Sequence, residues 1–254
     1  MKVQISPAQT IGEVIEQLDQ IIKRCIRESS RLGYFAMLYR NVTVRVRDEI
    51  AAGRFEDGPR MERLDVIFAN RYLEALDTFW RGERTTASWQ VAFQTARRRS
   101  PIILQHLLLG MNAHINLDLA IAAVQTLPGG ELPGLKRDFS EITVLLGEMI
   151  DSVQARIDRV SPWFHILDRV GGRSDEQICA FAIGAARSLA WRAAEGLAAE
   201  TPEQFESREA AHDLSVAALG RGIRSPGRLL GAGLTLIRAR ESKPVPVIIR
   251  ALQL

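Results

Sequence analysis

The sequence predicts an all-α fold: a single-domain bundle of about nine or ten helices around a central helix with two polar stripes. Three observations predict it. Apolar residues recur every three to four positions along most of the 254 residues. Helix-start signals return at intervals of roughly one helix length. Only Val245 to Leu252 looks strand-like, and a lone strand lacks the partner it needs to be stable.

In chain order, Thr10-Ile11-Gly12-Glu13 is a capping-box pattern opening an amphipathic run to Ser29, and a second run passes through Tyr34 to Leu38 towards Ala51. The Asp57-Gly58-Pro59 turn ends that pair. Met61, Leu64, Phe68, Ala69, Tyr72, Leu76 and Phe79 give helical recurrence over Arg60 to Arg81, and Ser88 to Ala96 is a shorter helix with Trp89 and Phe93 on one face. Ser100-Pro101 supplies an N-cap and a proline at the first helical position, and the central helix runs on to Leu127. Pro128 to Gly134 reads as a long connection inside one domain spanning residues 1–254. Beyond it lie a helix from Lys136 to Val160, a short one opened by Ser161-Pro162, one from the Ser174-Asp175-Glu176-Gln177 capping box to Ala198, one capped by Thr201, and one opened by Ser225-Pro226.

Composition narrows the class. With 25% charged and 46% hydrophobic residues and a mean hydropathy of −0.03, the chain reads as a folded protein rather than a disordered or membrane one. Lysine occurs only at Lys2, Lys23, Lys136 and Lys243, so the pI of 9.1 reflects arginine content, while the net charge is only +3. The one dense basic run, Arg97-Arg98-Arg99, stands before a helix start and reads as a solvated loop, so no nucleic-acid partner is expected. Cys25 and Cys179 lie far apart in apolar helical patterns and read as core thiols; with no secretory signal apparent, a cytoplasmic location is expected. The apolar segment from Pro101 to Val124 contains too many polar groups for a membrane span.

Those polar groups are the strongest functional signal. At about 100° per residue, His106, Gly110, His114 and Asp118 share one face, and Gln105, Asn112 and Asn116 share roughly the opposite one. Two stripes between apolar flanks predict a central helix whose neighbours each meet a specific polar group. His114 and Asp118, four apart, can hold one metal ion or form one hydrogen-bonded pair. His165 and Asp168 repeat the combination three apart in an apolar, aromatic setting. Asp65 lies in the middle of the apolar arc of its helix, where an ionised carboxylate needs a metal, an arginine or a protonated histidine. His212-Asp213 lies on a polar helix and reads as solvated surface. The scattered tryptophans read as core packing.

Leu32-Gly33-Tyr34-Phe35, Arg60 to Asp65, Gly110 to Leu119 and Trp163 to Gly172 resemble an uncharacterised bacterial family of unknown function that carries a Gly-Met-Asn-Ala-His-Ile-Asn-Leu-Asp-Leu motif. The likeness covers most of the chain; it implies one domain and brings no reaction.

Three functional readings follow. The first is a metal-dependent helical enzyme, most simply a hydrolase, with Asp65, His114, Asp118 and His165 as ligands to a divalent zinc, iron or manganese ion. In it, His114, His165 and Asp168 are the catalytic residues, and the substrate is a small molecule in an apolar helical pocket. The second is a metal-free cyclase or lyase using His/Asp acid–base chemistry. The third is a non-enzymatic ligand-binding or interaction protein whose buried polar groups fix helix register.

Overall fold

The computed structural model describes residues 5–127, 132–161 and 175–254, without the side chains of 175–182, 202 and 228–232. Ten helices and no strand occur among the described residues. They are α1 (Ile11–Glu28), α2 (Leu32–Ala51), α3 (Gly58–Trp80), α4 (Ala87–Ala96), α5 (Ile103–Thr126), α6 (Lys136–Asp158), α7 (Asp175–Ala198), α8 (Pro202–Arg224), α9 (Arg228–Arg240) and α10 (Val245–Ala251). The all-α class is as the periodicity predicts.

Local chemistry starts several helices where the sequence places them. The Thr10 hydroxyl accepts from the Glu13 N–H, and Thr201 and Gln204 cap each other reciprocally; α3 starts at Gly58, before the expected Arg60, because Asp57, read as part of a turn, caps it by accepting from the Arg60 N–H. α5 is central. Its N-terminal half packs on α2, α4 and α8, and its C-terminal half on α3 and α7. It is long and apolar enough to cross a membrane by length and composition, and within the bundle most of it is buried.

Midway, α5 changes pitch. Residues His114–Asp118 form a π-turn, with the Leu119 N–H reaching the His114 carbonyl five residues back. One residue is thereby accommodated within a helix that otherwise keeps its α hydrogen bonds, a distortion often found at functional sites. Two apolar clusters flank it. One is centred on Leu18, Tyr72, Leu76, Trp89 and Leu107, the other on Leu117, Ile121, Leu135 and Leu145.

Four further sequence expectations are corrected. Val245 to Leu252 is a helix, not a strand: Pro246 opens it, and Ile248, Ile249 and Leu252 bury one helical face against α1 and α2. There Gly33 admits Ile249, whose Cδ1 lies 2.6 Å from where a β-carbon would stand. α5 begins at Ile103 rather than Pro101, because its cap comes from far along the chain: the Glu241 carboxylate accepts from the Ile103 N–H at 3.0 and 3.2 Å. Part of the long connection is a 3₁₀ turn, Leu132–Leu135, whose two leucines are buried. His212 and Asp213 are not solvated surface: Asp213 caps α4 by accepting from the N–H groups of Ala87 and Ser88 at 2.5 and 2.9 Å, and His212 Nε2–H donates to the Asn116 carbonyl of the π-turn at 2.6 Å.

Cys25 is a buried free thiol that burial pushes up to about 12; the Cys179 side chain lies outside the described residues. Arg97, Arg98 and Arg99 are exposed, with Arg97 over the Phe79 ring.

Candidate functional site

The two polar stripes of α5 have different uses. On one face, Gln105 Nε2 donates to the Ile223 carbonyl at 2.8 Å and Asn112 Nδ2 to the Val216 carbonyl at 3.0 Å, while Asn116 donates to Asn112 Oδ1. That stripe docks α8, and Gly220 permits the approach: its β-carbon would stand 3.3 Å from Asn112 Nδ2.

The opposite face builds a site. Asp118 is 1% exposed and accepts from three donors on three helices. Arg71 Nε of α3 reaches Oδ1 at 3.1 Å, and the Trp89 indole of α4 reaches Oδ2 at 2.8 Å. The ring Nδ1 of His114 lies 3.4 Å from the same Oδ2. Arg71 also pairs with Glu209 of α8 at 2.8 Å, so the guanidinium is shared by two carboxylates. An ion-paired carboxylate only accepts, so Nδ1 of His114 carries the proton and Nε2 presents its lone pair. Burial, acting first and aided by the Arg71 charge, lowers the pKa of His114 and keeps the ring neutral, although Asp118 pulls the other way.

Aromatic rings enclose that imidazole. Phe68 stacks on it at 3.5 Å between centroids, Tyr39 meets it edge-on at 4.3 Å, and Phe35, Trp89 and Tyr72 stand at 5.6, 6.1 and 6.2 Å. Phe35 fits only because residue 110 is glycine; a β-carbon there would lie 2.4 Å from the ring. Three buried polar atoms at or next to this cage make no well-formed hydrogen bond: Nε2 of His114, the Tyr39 hydroxyl, which has the Thr43 hydroxyl near it, and Oδ2 of Asp65. Burial, then the neighbouring Asp65 charge, raises the Tyr39 phenol well above its ordinary value. Asp65, one turn before Phe68 on α3, has no cationic partner among the described residues. Burial, assisted by Glu62, raises its carboxyl to about 7. Besides a cation, protonation is another way to lodge a carboxyl in an apolar helix.

His106 lies on the same stripe of α5 but meets different neighbours. It packs edge-on against Tyr34 at 5.7 Å, and neither ring nitrogen makes a well-formed hydrogen bond. It borders a cleft whose walls, Phe35, Tyr72 and Trp89, are also rings of the His114 cage. Arg31 and His106 thus share this cleft with three of the rings that surround the imidazole.

The structure brings His114 and Asp118 together and sets Asp65 against the same cage; His165 and Asp168 lie outside the described residues. Among the described residues no three His, Cys, Asp or Glu side chains form a group suited to a metal ion. Both oxygens of Asp118, expected as a ligand, accept N–H donors, Oδ1 from Arg71 and Oδ2 from Trp89. Sequence reasoning missed Arg71, Trp89, Tyr39 and Phe68. Two of these carried a signal: Arg71 flanks the apolar arc of α3 within about 20° of Leu64, and a buried indole N–H requires an acceptor.

The profile of a family of unknown function (DUF5995) matches residues 11–226, most of the chain. No curated protein and no solved structure matches it.

Proposed function

The chain belongs to this family of unknown function, and from that premise and the geometry of the cage we propose that it is a metal-free acid–base enzyme of the lyase or cyclase class, acting on a small, largely apolar molecule. The carrying observation is a set of three buried atoms without a well-formed hydrogen bond: Nε2 of His114, whose ring Asp118 orients, Tyr39 Oη in the cage around it, and Asp65 Oδ2 of the carboxyl whose charge acts on Tyr39. Orphaned buried polar atoms cost about 1–3 kcal/mol each, a cost that a substrate's own polar groups offset.

His114 Nε2 is the base. It removes a proton from the substrate, and the imidazolium that forms is stabilised through Nδ1–H by Asp118. The electron pair left behind moves towards the group that protonated Asp65 supplies with a proton, and the Tyr39 hydroxyl orients that group by donating a hydrogen bond. The opposed displacements of His114 and Asp65 leave the base free while a substantial fraction of the acid stays protonated up to neutrality. The aromatic walls exclude water and favour flat, apolar substrate surfaces.

The metal-dependent hydrolase reading keeps one supporting observation. A histidine whose Nδ1 is turned to a carboxylate is also how metal ligands are oriented, which would leave His114 Nε2 and Asp65 as ligands and Asp118 behind them. The two readings separate in one experiment. Small carbonyl compounds are incubated in D2O with chelator-treated, metal-analysed protein, and deuterium incorporation is read by mass spectrometry. Exchange that survives chelation and disappears in folded His114→Gln supports acid–base chemistry. Exchange that returns only with zinc, iron or manganese supports the metal enzyme. Identical exchange in His114→Gln removes both.

A further inference from the structure

The cleft at the start of α5 has a chemistry of its own. It is lined by Arg31, Tyr34, Pro101, Ile103, His106, Arg238, Glu241 and Lys243, among others. Three cations therefore face one carboxylate. That carboxylate is committed: Glu241 caps Ile103 and accepts from the Ser161 hydroxyl at 2.6 Å. Arg238 is held in place by donating to the Arg99 and Glu241 carbonyls, each at 2.6 Å, and Lys243 donates to the Arg159 carbonyl. Arg31 stands just before α2, where its carbonyl accepts from the Tyr34 N–H at 3.1 Å, and its guanidinium has no hydrogen-bond or ion-pair partner among the described residues.

His106 forms the inner wall. It is 7% exposed, and neither ring nitrogen makes a well-formed hydrogen bond; the Pro101 carbonyl is the one backbone acceptor near the ring. A histidine placed only for packing would bury two polar atoms at a cost with no compensation. We propose that this cleft is an oxyanion-binding site, in which Arg31, Arg238 and Lys243 supply the charge and a neutral His106 donates one N–H to a carboxylate or phosphate oxygen of the ligand. Burial, then the charges of Arg31 and Arg238, hold His106 down to about 3, so the imidazole is neutral at pH 7 and presents one donor. An anion between those guanidinium groups cancels their repulsion and raises the His106 pKa on binding. The groups facing the imidazole in that titration are Arg31, Tyr34, Arg238, Glu241 and Lys243.

Arg31 and His106 also border the second cleft, which reaches the rings around His114. Resting on the acid–base reading above, the inference extends to the substrate: an apolar body lying along Phe35, Tyr72 and Trp89, with an anionic end at Arg31. The binding site does not depend on that extension.

The test uses the full chain and two probes, benzoate and inorganic phosphate. Ring carbon–proton NMR signals of His106 are followed during titration in wild type, Arg31→Gln and His114→Gln. We expect saturable movement of the His106 signals with at least one probe and an affinity weaker by about tenfold in Arg31→Gln, the loss typical of one charge-assisted hydrogen bond. Binding in His114→Gln should equal wild type, so that failure of the catalytic reading leaves the binding result standing. Benzoate binding with phosphate ignored identifies a carboxylate site, and the converse a phosphate site. Absence of saturable movement of His106 with either probe overturns the proposal, as does equal affinity in Arg31→Gln.

Discussion

Trp89 donates its indole N–H to Asp118 Oδ2 at 2.8 Å, a shorter contact than the 3.4 Å from His114 Nδ1 to the same oxygen. The carboxylate is thus fixed from α4 and α3, and the imidazole shares an oxygen already held. A donor competing for that oxygen weakens the pull of Asp118 on the histidine proton, which helps to keep His114 neutral.

Trp89→Phe should therefore raise the pKa of His114. The ring remains to stack on Phe93, 4.9 Å away, while Oδ2 is released to His114. NMR titration of the imidazole checks this; an unchanged or lowered value would mean that the indole does not compete.

Asp118→Ala should be far more damaging than its size suggests. It leaves Arg71 and the Trp89 N–H without their buried acceptor, and breaking such a pair from one side costs about 3–5 kcal/mol. Asp118→Asn, which keeps an acceptor oxygen, should lose less. Denaturant unfolding of the two variants measures the difference.

Asp65 predicts a pH slope. Its folded pKa, about 7, lies above the ordinary 3.8, so the native state holds a proton that the unfolded chain has released. Its contribution to stability is fully present below pH 3.8 and is lost as pH rises towards 7. Asp65→Asn should be more stable than wild type at pH 8, by about 2–4 kcal/mol, with little difference at pH 4. The same variant should lose turnover, because an amide cannot deliver the proton.

His106 slopes the other way. Its folded pKa of about 3 lies below the ordinary 6.5, so stability present above pH 6.5 is lost as pH falls towards 3, where the unfolded chain binds the proton and the native state does not. His106→Gln should flatten the acid limb of thermal unfolding followed between pH 7 and pH 4.

Gly110→Ala should loosen the cage without touching a polar group. The added carbon meets Phe35 at 2.4 Å, and overpacking of this kind costs about 1–3 kcal/mol. A crystal structure of the variant should show Phe35 displaced from His114.

The fold was readable because its signals are local. Thr10 and Thr201 cap the helices they precede, and apolar recurrence marks α3 and α5. Where an end is fixed from a distance, as Glu241 fixes Ile103, sequence near the helix misplaces it. Val245 to Leu252 misled because four β-branched residues in a short run suggest a strand, whereas burial of Ile248, Ile249 and Leu252 on α1 and α2 decides for a helix. At the site, His114 and Asp118 announce themselves by spacing, since four residues keep one face. Arg71, Trp89 and Tyr39 come from other helices, and no spacing in the chain relates them to Asp118. The π-turn has no local sequence signature here; it shows only in the hydrogen bond from Leu119 to His114.

The central claim is that His114 offers an unprotonated Nε2 to the cage while Nδ1–H points to Asp118. Nitrogen-15 NMR of the imidazole at pH 7 reads the tautomer without knowledge of any substrate. The account predicts a neutral ring protonated at Nδ1, with the preference weakened in Asp118→Asn. A neutral ring protonated at Nε2, or an imidazolium at that pH, would contradict it.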